Sequence, residues 1–440
     1  MSVQNDKKIL SLTLNTWPND TYGIYDYSTD TIKTILVNIE ESVFITRTKN
    51  NIFREIFQHA YIEEEDDLIF YVNNESDNEF SLINPIPYNL KYNSDNCSYL
   101  NNKLWYVVKS DELEKSKNND EEYYLNENDI IKLGKVKYVV KKINIQSRDN
   151  SYESEAPIAI KEIKYDISNS NKNDHPVLDF VFDVKSYSNY KDINEKIKKN
   201  DENPDDDEEN NICKYCNNNH INPETDDGEP NPLISLCKCK NKEDLVHFKC
   251  MKNEILKRIE KRNDSENRIL IDDSKTILDF GCEKCGEQYP LKFKLENIDK
   301  IFSLYDYEEP KNCDYMVLES LDYKKDEKYV KSIHIIKLIN EYITIGRENE
   351  NDISDKDISI SRNHAIIRFN KENGTICLQN RSKKFGTLVL VREPIKILEK
   401  TIYLQVGRTF IEAKLIDRKK SEKKEKEEIK VDKNNDNNKK

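Results

Sequence analysis

Residues 333–369 read IHIIKLINEYITIGRENENDISDKDISISRNHAIIRF, and this stretch decides how the C-terminal part of the chain is interpreted. Short runs of β-branched residues alternate with polar segments, which is the pattern of β-strands joined by loops. The pattern continues through TICLQNRSKKFGTLVLV at 375–391 and IYLQVGRTFIEAKLI at 402–416, so we predict a β-sandwich over residues 315–417. Three short motifs lie at the ends of these predicted strands: Gly346-Arg347, Ser361-Arg362-x-His364 and Gly386-Thr387.

In this order and spacing, the three motifs resemble those of the forkhead-associated (FHA) domain, a reader of phosphothreonine-containing proteins. The resemblance implies that Arg347, Ser361 and Arg362 bind the phosphopeptide. These residue types suit a phosphate group, which carries about −1.5 to −2 charges and three strong acceptor oxygens, because an arginine can donate two parallel hydrogen bonds and a serine one hydroxyl. The resemblance gives a structural role to four further residues: Gly346, His364, Gly386 and Thr387. Phe385 stands where the family usually has asparagine.

Residues 1–146 form a second block of strand-like runs, such as TILVNI at 34–39, which we predict to be an all-β domain. The segment Ile131-Lys-Leu-Gly134-Lys135 parallels Leu404-Gln-Val-Gly407-Arg408, and VFITRT at 43–48 parallels YITIGR at 342–347. We therefore interpret this block as a degenerate FHA-like copy without phosphate binding. NNIFREIFQHAY at 50–61 predicts a short helix within it.

Seven cysteines and one histidine form four pairs between residues 213 and 285: Cys213-x-x-Cys216, Cys237-x-Cys239, His247-x-x-Cys250 and Cys282-x-x-Cys285. Ligands two or three residues apart allow one turn to present both to a single ion, and zinc needs two such pairs for its tetrahedron. We expect a reducing compartment, where cysteines favour metal binding over disulfides. The spacing therefore predicts two closed, structural Zn²⁺ sites.

The ligand order resembles that of the RING-CH (variant RING) zinc finger, over residues 212–295. The resemblance implies a small α+β cross-brace fold with two interleaved zinc sites. In that fold one zinc is held by Cys213, Cys216, His247 and Cys250, and the other by Cys237, Cys239, Cys282 and Cys285. A helix is expected after Cys250, with one apolar face formed by Met251, Ile255, Leu256 and Ile259.

RING-CH fingers commonly act as ubiquitin ligases and have no catalytic residue of their own, because they hold a ubiquitin-conjugating enzyme close to a substrate. The implied contacts with that enzyme are Tyr215 and Leu236. Glu254 replaces the family's usual tryptophan and Gly286 a common basic residue. Three interpretations stay open: a phosphorylation-dependent ubiquitin ligase, a non-enzymatic phosphopeptide-dependent scaffold, and a histone-tail reader of the PHD type.

Composition adds limits to these interpretations. The chain has 440 residues and a net charge of −13, which argues against a general nucleic-acid-binding surface. No apolar run is long enough to span a membrane, so we expect a soluble protein of the cytoplasm or nucleus. Residues 147–211 read as a polar, acidic linker interrupted by VLDFVFDV at 177–184, and residues 418–440 as a disordered charged tail. The expected architecture is thus multidomain, with β-rich blocks on either side of a zinc finger.

Overall fold

The structure is a computed structural model, and it describes the following residues: 7–17, 26–27, 32–48, 53–56, 67–76, 79–84, 100, 103–108, 122–145, 181–184, 212–218, 231–237, 245–265, 275–279, 282, 284–285, 289, 292–295, 298–321, 330–398 and 400–418. Within these ranges the chain is almost entirely β-structure, with a single α-helix. The described helix is not long and apolar enough to cross a lipid bilayer.

The strands of the N-terminal half are β1 (Lys8–Thr16), β2 (Lys33–Ile39), β3 (Val43–Arg47), β4 (Phe53–Ile56), β5 (Asp67–Ser76), β6 (Glu79–Ile83), β7 (Leu104–Val108), β8 (Tyr123–Tyr124), β9 (Ile130–Leu133) and β10 (Val136–Asn144). The segment that was predicted to be a short helix instead contains β4, which pairs antiparallel with β3. The helix prediction was therefore wrong at this point, because pairing with a neighbouring strand prevails over local helical preference.

The middle of the chain contains β11 (Val181–Val184), β12 (Leu233–Ile234), β13 (Val246–His247), helix α1 (Phe248–Ser265), β14 (Lys275–Asp279), β15 (Lys292–Leu295) and β16 (Ile298–Ser303). The apolar run inside the predicted linker thus includes a strand, β11, which pairs in parallel with β15. Met251, Ile255 and Ile259 are buried along one face of α1, while Leu256 is 38% exposed and does not share that burial.

The C-terminal strands are β17 (Tyr315–Ser320), β18 (Val330–Lys337), β19 (Tyr342–Gly346), β20 (Ile353–Ser354), β21 (Ala365–Asn370), β22 (Thr375–Asn380), β23 (Thr387–Leu390), β24 (Ile395–Ile397), β25 (Ile402–Val406) and β26 (Thr409–Asp417). One long sheet has the strand order β14-β18-β17-β10-β9-β23-β7-β25-β26-β1-β2. Two further sheets have five strands each, in the orders β20-β19-β21-β22-β8 and β24-β6-β5-β3-β4. Each packs against one end of the long sheet, with a separate apolar core between the two layers.

The molecule therefore contains two β-sandwiches that share the long sheet. The first, called here the N-terminal sandwich, consists of β1–β7 and β24–β26. The second, called the C-terminal sandwich, consists of β17–β23 and β8–β10. Each is closed by strands from the other half of the chain: β10 pairs with β17 and β9 with β23, while β26 pairs with β1 and β25 with β7.

The exchanged strands have the same local design. β9 and β10 are joined at Gly134, and β25 and β26 at Gly407, and both glycines have left-handed backbone conformations, with φ of 61° and 52°. A left-handed turn of this kind costs glycine little, and it connects two strands closely enough for hairpin pairing. The sequence parallel between residues 131–135 and 404–408 thus corresponds to two equivalent hairpins. Residues 395–417, which the sequence assigned to one domain with residues 315–390, lie in the N-terminal sandwich.

The cysteine-rich region packs onto the C-terminal sandwich. β14 extends the long sheet by pairing with β18. One continuous apolar core includes Cys213, Ile255 and Cys282 together with Tyr315 and Val317 of β17. The region is therefore joined to the sandwich by a shared core and a shared sheet.

Candidate functional site

Three loops meet at one end of the C-terminal sandwich, and the residues singled out in the sequence lie in them. The loop after β19 carries Arg347, whose backbone N–H donates to the carbonyl of Ser361 at 3.0 Å. The N–H of Glu348 donates to the carbonyl of Arg362 at 3.3 Å, which joins the first loop to the loop before β21. A Cβ atom on Gly346 would lie 2.1 Å from that Arg362 carbonyl oxygen, so only glycine fits this crossing. The glycine is thus required by close approach of the backbone.

His364 connects these loops from inside and is fully buried. Its Nδ1 accepts a hydrogen bond from the backbone N–H of Ser361 at 3.0 Å, so its Nε2 carries the proton and faces the carbonyl of Gly386 at 3.4 Å. Burial lowers the pKa of His364 to about 4, against the smaller opposing effect of the Gly386 carbonyl. The ring is therefore neutral near pH 7 and connects the loop before β21 with Gly386.

Ser361 is partly exposed, and its hydroxyl lies 2.7 Å from the hydroxyl of Ser382 in the loop after β22. Ser382 Oγ also accepts a hydrogen bond from the N–H of Phe385 at 3.0 Å. The hydroxyl of Ser382 can therefore donate to Ser361, which leaves the hydroxyl hydrogen of Ser361 available to an acceptor outside the protein. Ser382 was not singled out in the sequence.

Asn380 fixes the same loop from beneath. Its Oδ1 accepts hydrogen bonds from the hydroxyl of Thr387 at 2.8 Å and from the N–H of Ser382 at 3.1 Å. The Asn-x-Ser sequence is the available signal for this geometry, because asparagine side chains commonly bond the backbone two residues on. Phe385 is half-buried beside Gly386, and its position in the loop is set by its N–H bond to Ser382.

The charges at this end of the sandwich are mainly exposed. Arg362 is 77% exposed at its side chain, and among the described residues its ion pair is a long one, 3.8 Å from its Nε to Glu348 Oε1. Such a pair in water contributes little stability. Arg347 is partly buried, and in the described part of the chain no carboxylate forms an ion pair with it. This end can therefore offer two guanidinium groups and a hydroxyl to an anion.

The N-terminal sandwich differs at the corresponding position. The buried residues of β3, Val43 and Ile45, occupy the places of Ile343 and Ile345 in β19, which makes Arg47 the counterpart of Arg347. Arg47 is only 7% exposed, and its Nη1 donates to Thr409 Oγ1 at 3.3 Å. Thus both sandwiches have an arginine at this position, but Arg47 in the N-terminal sandwich is buried and hydrogen-bonded inside the protein.

Comparison with known families identifies this part of the molecule. Residues 343–411 match the family model of the FHA domain. No curated protein and no solved structure matches the chain. The chain therefore contains an FHA domain, a class of β-sandwich that binds phosphothreonine-containing proteins. The match includes β25 and the start of β26, although these strands lie in the N-terminal sandwich. This is expected if the β25–β26 hairpin is equivalent to the β9–β10 hairpin, which takes the corresponding place in the C-terminal sandwich.

A second group of candidate residues lies in the cysteine-rich region. The ligand atoms of four residues lie within 4.8 Å of one another: Cys213, Cys216, His247 and Cys250. The Sγ of Cys216 is 3.3 Å from Nδ1 of His247, and a sulfur and a nitrogen ligand of one tetrahedral zinc, with bonds of about 2.3 and 2.0–2.1 Å, lie roughly 3.6 Å apart. The spacing and the donor set both fit a zinc ion, and the first pair of the sequence meets the third.

The protonation of this cluster points the same way. Burial alone would raise the pKa of the Cys213 thiol, but hydrogen bonds from His247 and from backbone N–H groups outweigh it and lower the pKa to about 6. The bond to Cys213 raises the pKa of His247 to about 9, against the opposing effect of burial. Without metal, the cluster thus tends to hold a thiolate beside a protonated imidazole, and a metal ion would take the place of the proton.

The second cluster contains Cys237, Cys282 and Cys285, again with their sulfur atoms within 4.8 Å of one another. Burial opposes ionisation of Cys282, but the backbone N–H groups of Cys285 and Lys284 lower its pKa to about 6. Cys239, the fourth predicted ligand, lies outside the described residues, as does Gly286. Three cysteines from the second and fourth pairs of the sequence therefore meet and can hold a metal ion.

No RING-CH family model matches this region. Leu236, one of the two implied contacts for a conjugating enzyme, is only 7% exposed and belongs to the shared core. The other, Tyr215, is half-buried, and its hydroxyl accepts a hydrogen bond from Arg258 Nη2 at 3.3 Å. Arg258 in turn pairs with Glu254 at 3.3 Å, so Glu254 has a partner inside the protein.

Proposed function

We propose that this chain is a phosphothreonine-reading scaffold, in which Arg347, Ser361 and Arg362 bind the phosphate of a partner protein. The observation that carries the proposal is the meeting of three loops around a partly exposed serine hydroxyl and two arginines at one end of the C-terminal sandwich. A phosphothreonine brings negative charge and acceptor oxygens to which guanidinium groups donate strong, paired hydrogen bonds.

An array of phosphothreonine, phosphoserine and unphosphorylated peptides tests this proposal. We expect phosphothreonine peptides to bind, and Arg347→Ala to weaken the binding by about tenfold or more, because a charge-assisted hydrogen bond is lost. Arg418→Ala is the matched control, since it removes an exposed arginine from the end of β26 with the same change of net charge. Equal losses in the two variants would point to general electrostatic attraction and would contradict the assignment.

We also propose that both cysteine clusters bind structural zinc, with Cys239 completing the second. This is supported by the grouping of the sulfur and imidazole atoms and by the lowered pKa values of Cys213 and Cys282. Elemental analysis and native mass spectrometry of the full chain should give two zinc ions. Cys216→Ser should remove one of them, whereas Cys313→Ser, which changes a cysteine outside both clusters, should remove none.

Ubiquitin transfer is the second candidate. It is supported by the grouping of the first cysteine pair with the third and of the second with the fourth, which is the interleaving that a RING cross-brace requires. The burial of Leu236 favours the scaffold over this candidate, because a docking residue must be exposed to its partner. Assays of autoubiquitination with a panel of conjugating enzymes distinguish the two: product above a Cys237→Ser control supports the ligase, and its absence across the panel supports the scaffold.

A further inference from the structure

Two of the three loops at the phosphate-binding end rest on residues from the N-terminal half of the chain. We infer that Gly134, Lys135 and Tyr27 position the phosphopeptide site of the C-terminal sandwich, although they lie some 210 to 330 residues away in sequence. This inference rests on the proposed binding of phosphothreonine at Arg347 and Ser361. It concerns residues that hold the site in place and do not themselves contact the peptide.

The turn between β9 and β10 supports the loop that carries Ser361. The backbone N–H of Lys135 donates to Ser359 Oγ at 2.8 Å, and Ser359 is fully buried two residues before Ser361. The place of a Cβ atom on Gly134 lies 2.3 Å from the backbone carbonyl oxygen of Ser359, so the two backbones are in direct contact. This contact needs a glycine for reasons of space as well as of its left-handed φ of 61°.

The same hairpin holds this loop at a second point. The hydroxyl of Tyr138 in β10 donates to Asp355 Oδ2 at 3.0 Å. Within the loop, Ser359 Oγ donates to Asp357 Oδ1 at 2.7 Å, so the bond from Lys135 joins a network that runs through the loop. The segment before Ser361 is therefore fixed from the side of the exchanged hairpin.

Tyr27 supports the loop after β22 in a similar way. Its backbone N–H donates to the carbonyl of Lys384 at 2.8 Å, and its ring lies 2.4 Å from the place of a Cβ atom on Gly386. The neighbouring Asp26 pairs with Lys384 at 3.7 Å. The loop that contains Ser382 and Phe385 is thus packed on the N-terminal half.

Positioning of this kind matters for binding because an ordered site has already lost the conformational freedom that binding would otherwise remove. The hydroxyl of Ser361 and the guanidinium of Arg347 must be held together to donate to one phosphate. A disturbance beneath Ser359 should therefore weaken binding without removing any group that contacts the peptide.

The test compares Gly134→Ala with Gly374→Ala in the full-length chain. Gly374 has nearly the same left-handed conformation, with φ of 63°, and lies in the turn between β21 and β22, at the opposite end of those strands from the phosphate-binding loops. Both variants carry the cost of alanine in a left-handed turn, but only the first disturbs Ser359. We expect Gly134→Ala to weaken the binding of a phosphothreonine peptide by about tenfold and Gly374→Ala to leave it unchanged. Ser359→Ala, which removes the acceptor of the Lys135 bond without adding bulk, replaces Gly134→Ala if that variant does not fold.

Amide hydrogen exchange of residues 359–364 is measured in the same variants without peptide. Faster exchange there in Gly134→Ala, or in Ser359→Ala, but not in Gly374→Ala supports the positioning role, whether or not the wild type binds the peptide. Failure of the wild type to bind any phosphothreonine peptide would remove the proposed function and leave this second readout decisive. Unchanged exchange in this segment, with binding affected equally in the variants and the control, would overturn the inference.

Discussion

His364 and Asp129 are buried titratable residues of the same sandwich, and burial favours the neutral form of both, so it shifts their pKa values in opposite directions. Burial lowers the pKa of His364 to about 4, whereas burial raises the pKa of Asp129 to about 6. Asp129 keeps hydrogen bonds from the backbone N–H of Asn126 and from the Tyr123 side chain, which oppose the rise without cancelling it. Each residue therefore contributes a pH-dependent term to the free energy of unfolding.

The folded state keeps His364 neutral, whereas the unfolded chain protonates it below a pKa of 6.5. The contribution of His364 to the free energy of unfolding is therefore fully present above pH 6.5 and is lost as the pH falls toward 4, by on the order of 3 kcal/mol in total. The sign for Asp129 is reversed, because its folded pKa is raised, and its contribution grows as the pH falls from about 6 toward 3.8. We expect His364→Gln to lose less stability than the wild type between pH 7 and pH 5, and Asp129→Asn to lose more. Urea unfolding at several pH values checks this, and parallel curves for all three proteins would contradict it.

At the scale of single residues, the sequence indicated which residue types to expect, but it did not indicate which of them are buried. His364 of the Ser-x-x-His motif is buried between the loops, and its structural role in phosphopeptide binding stays a prediction. The counterpart of Arg347 in the first block could not be found from sequence, because the apparent alignment of VFITRT with YITIGR is shifted by one residue relative to the burial of β3 and β19. A shift of one residue reverses the faces of a strand, so only the packing shows which residue points inward.

At the scale of secondary-structure elements, the main feature is the pair of exchanged hairpins, β9–β10 and β25–β26. Their strands and turns follow from the alternating apolar pattern and the two glycines. The alternating pattern does not predict which strands each hairpin pairs with, because two hairpins of the same pattern fit two sandwiches of the same kind equally well. The long sheet order is therefore a property of the folded chain that local sequence signals do not contain.

A pair of cysteine variants tests the exchange directly. Glu412 in β26 lies opposite Thr13 in β1, while its equivalent in the other hairpin, Val139, lies opposite Glu319 in β17. Directly opposed residues of antiparallel strands have Cα atoms about 4.5–5.5 Å apart, which is within the range of a disulfide. We expect Thr13→Cys with Glu412→Cys to form a disulfide within one chain under mild oxidation.

The control pair, Glu319→Cys with Glu412→Cys, should form none, because these positions become neighbours only if each half closes on its own hairpin. Peptide mass spectrometry identifies the bond and separates it from native cysteines. A disulfide in the control pair and none in the first would show that the hairpins are not exchanged.

At the scale of the whole molecule, the cysteine-rich region and the C-terminal sandwich share one apolar core and one sheet. The linear sequence suggested two domains, because ligand pairs and strand patterns occupy different segments. The structure joins them through the core that contains Ile255, Tyr315 and Ile333 and through the pairing of β14 with β18. Contacts of this kind depend on which apolar residues meet across the fold, and spacing along the chain does not predict them.

This shared core gives an expected result for metal removal. If the proposed zinc is bound, its chelation from the wild type should lower the midpoint of thermal unfolding. It should also increase amide exchange in β17 and β18, because the core beneath these strands includes Cys213 and Cys282. Cys313→Ser serves as a control for simple loss of a thiol and should show neither change in the presence of zinc. Full protection of β17 after complete removal of metal would contradict the coupling.

The pairing of β1 with β26 also bears on synthesis of the chain. Residues 8–16 leave the ribosome roughly 400 residues ahead of 409–417, the strand that covers their edge. At about 5–20 residues per second this delay is on the order of 20 to 80 s, during which the nascent N-terminal sandwich has an uncovered strand edge. The N-terminal sandwich therefore cannot complete its hydrogen bonding until residues 409–417 have been synthesised, whereas β9 and β10 already exist when their partners in the C-terminal sandwich emerge.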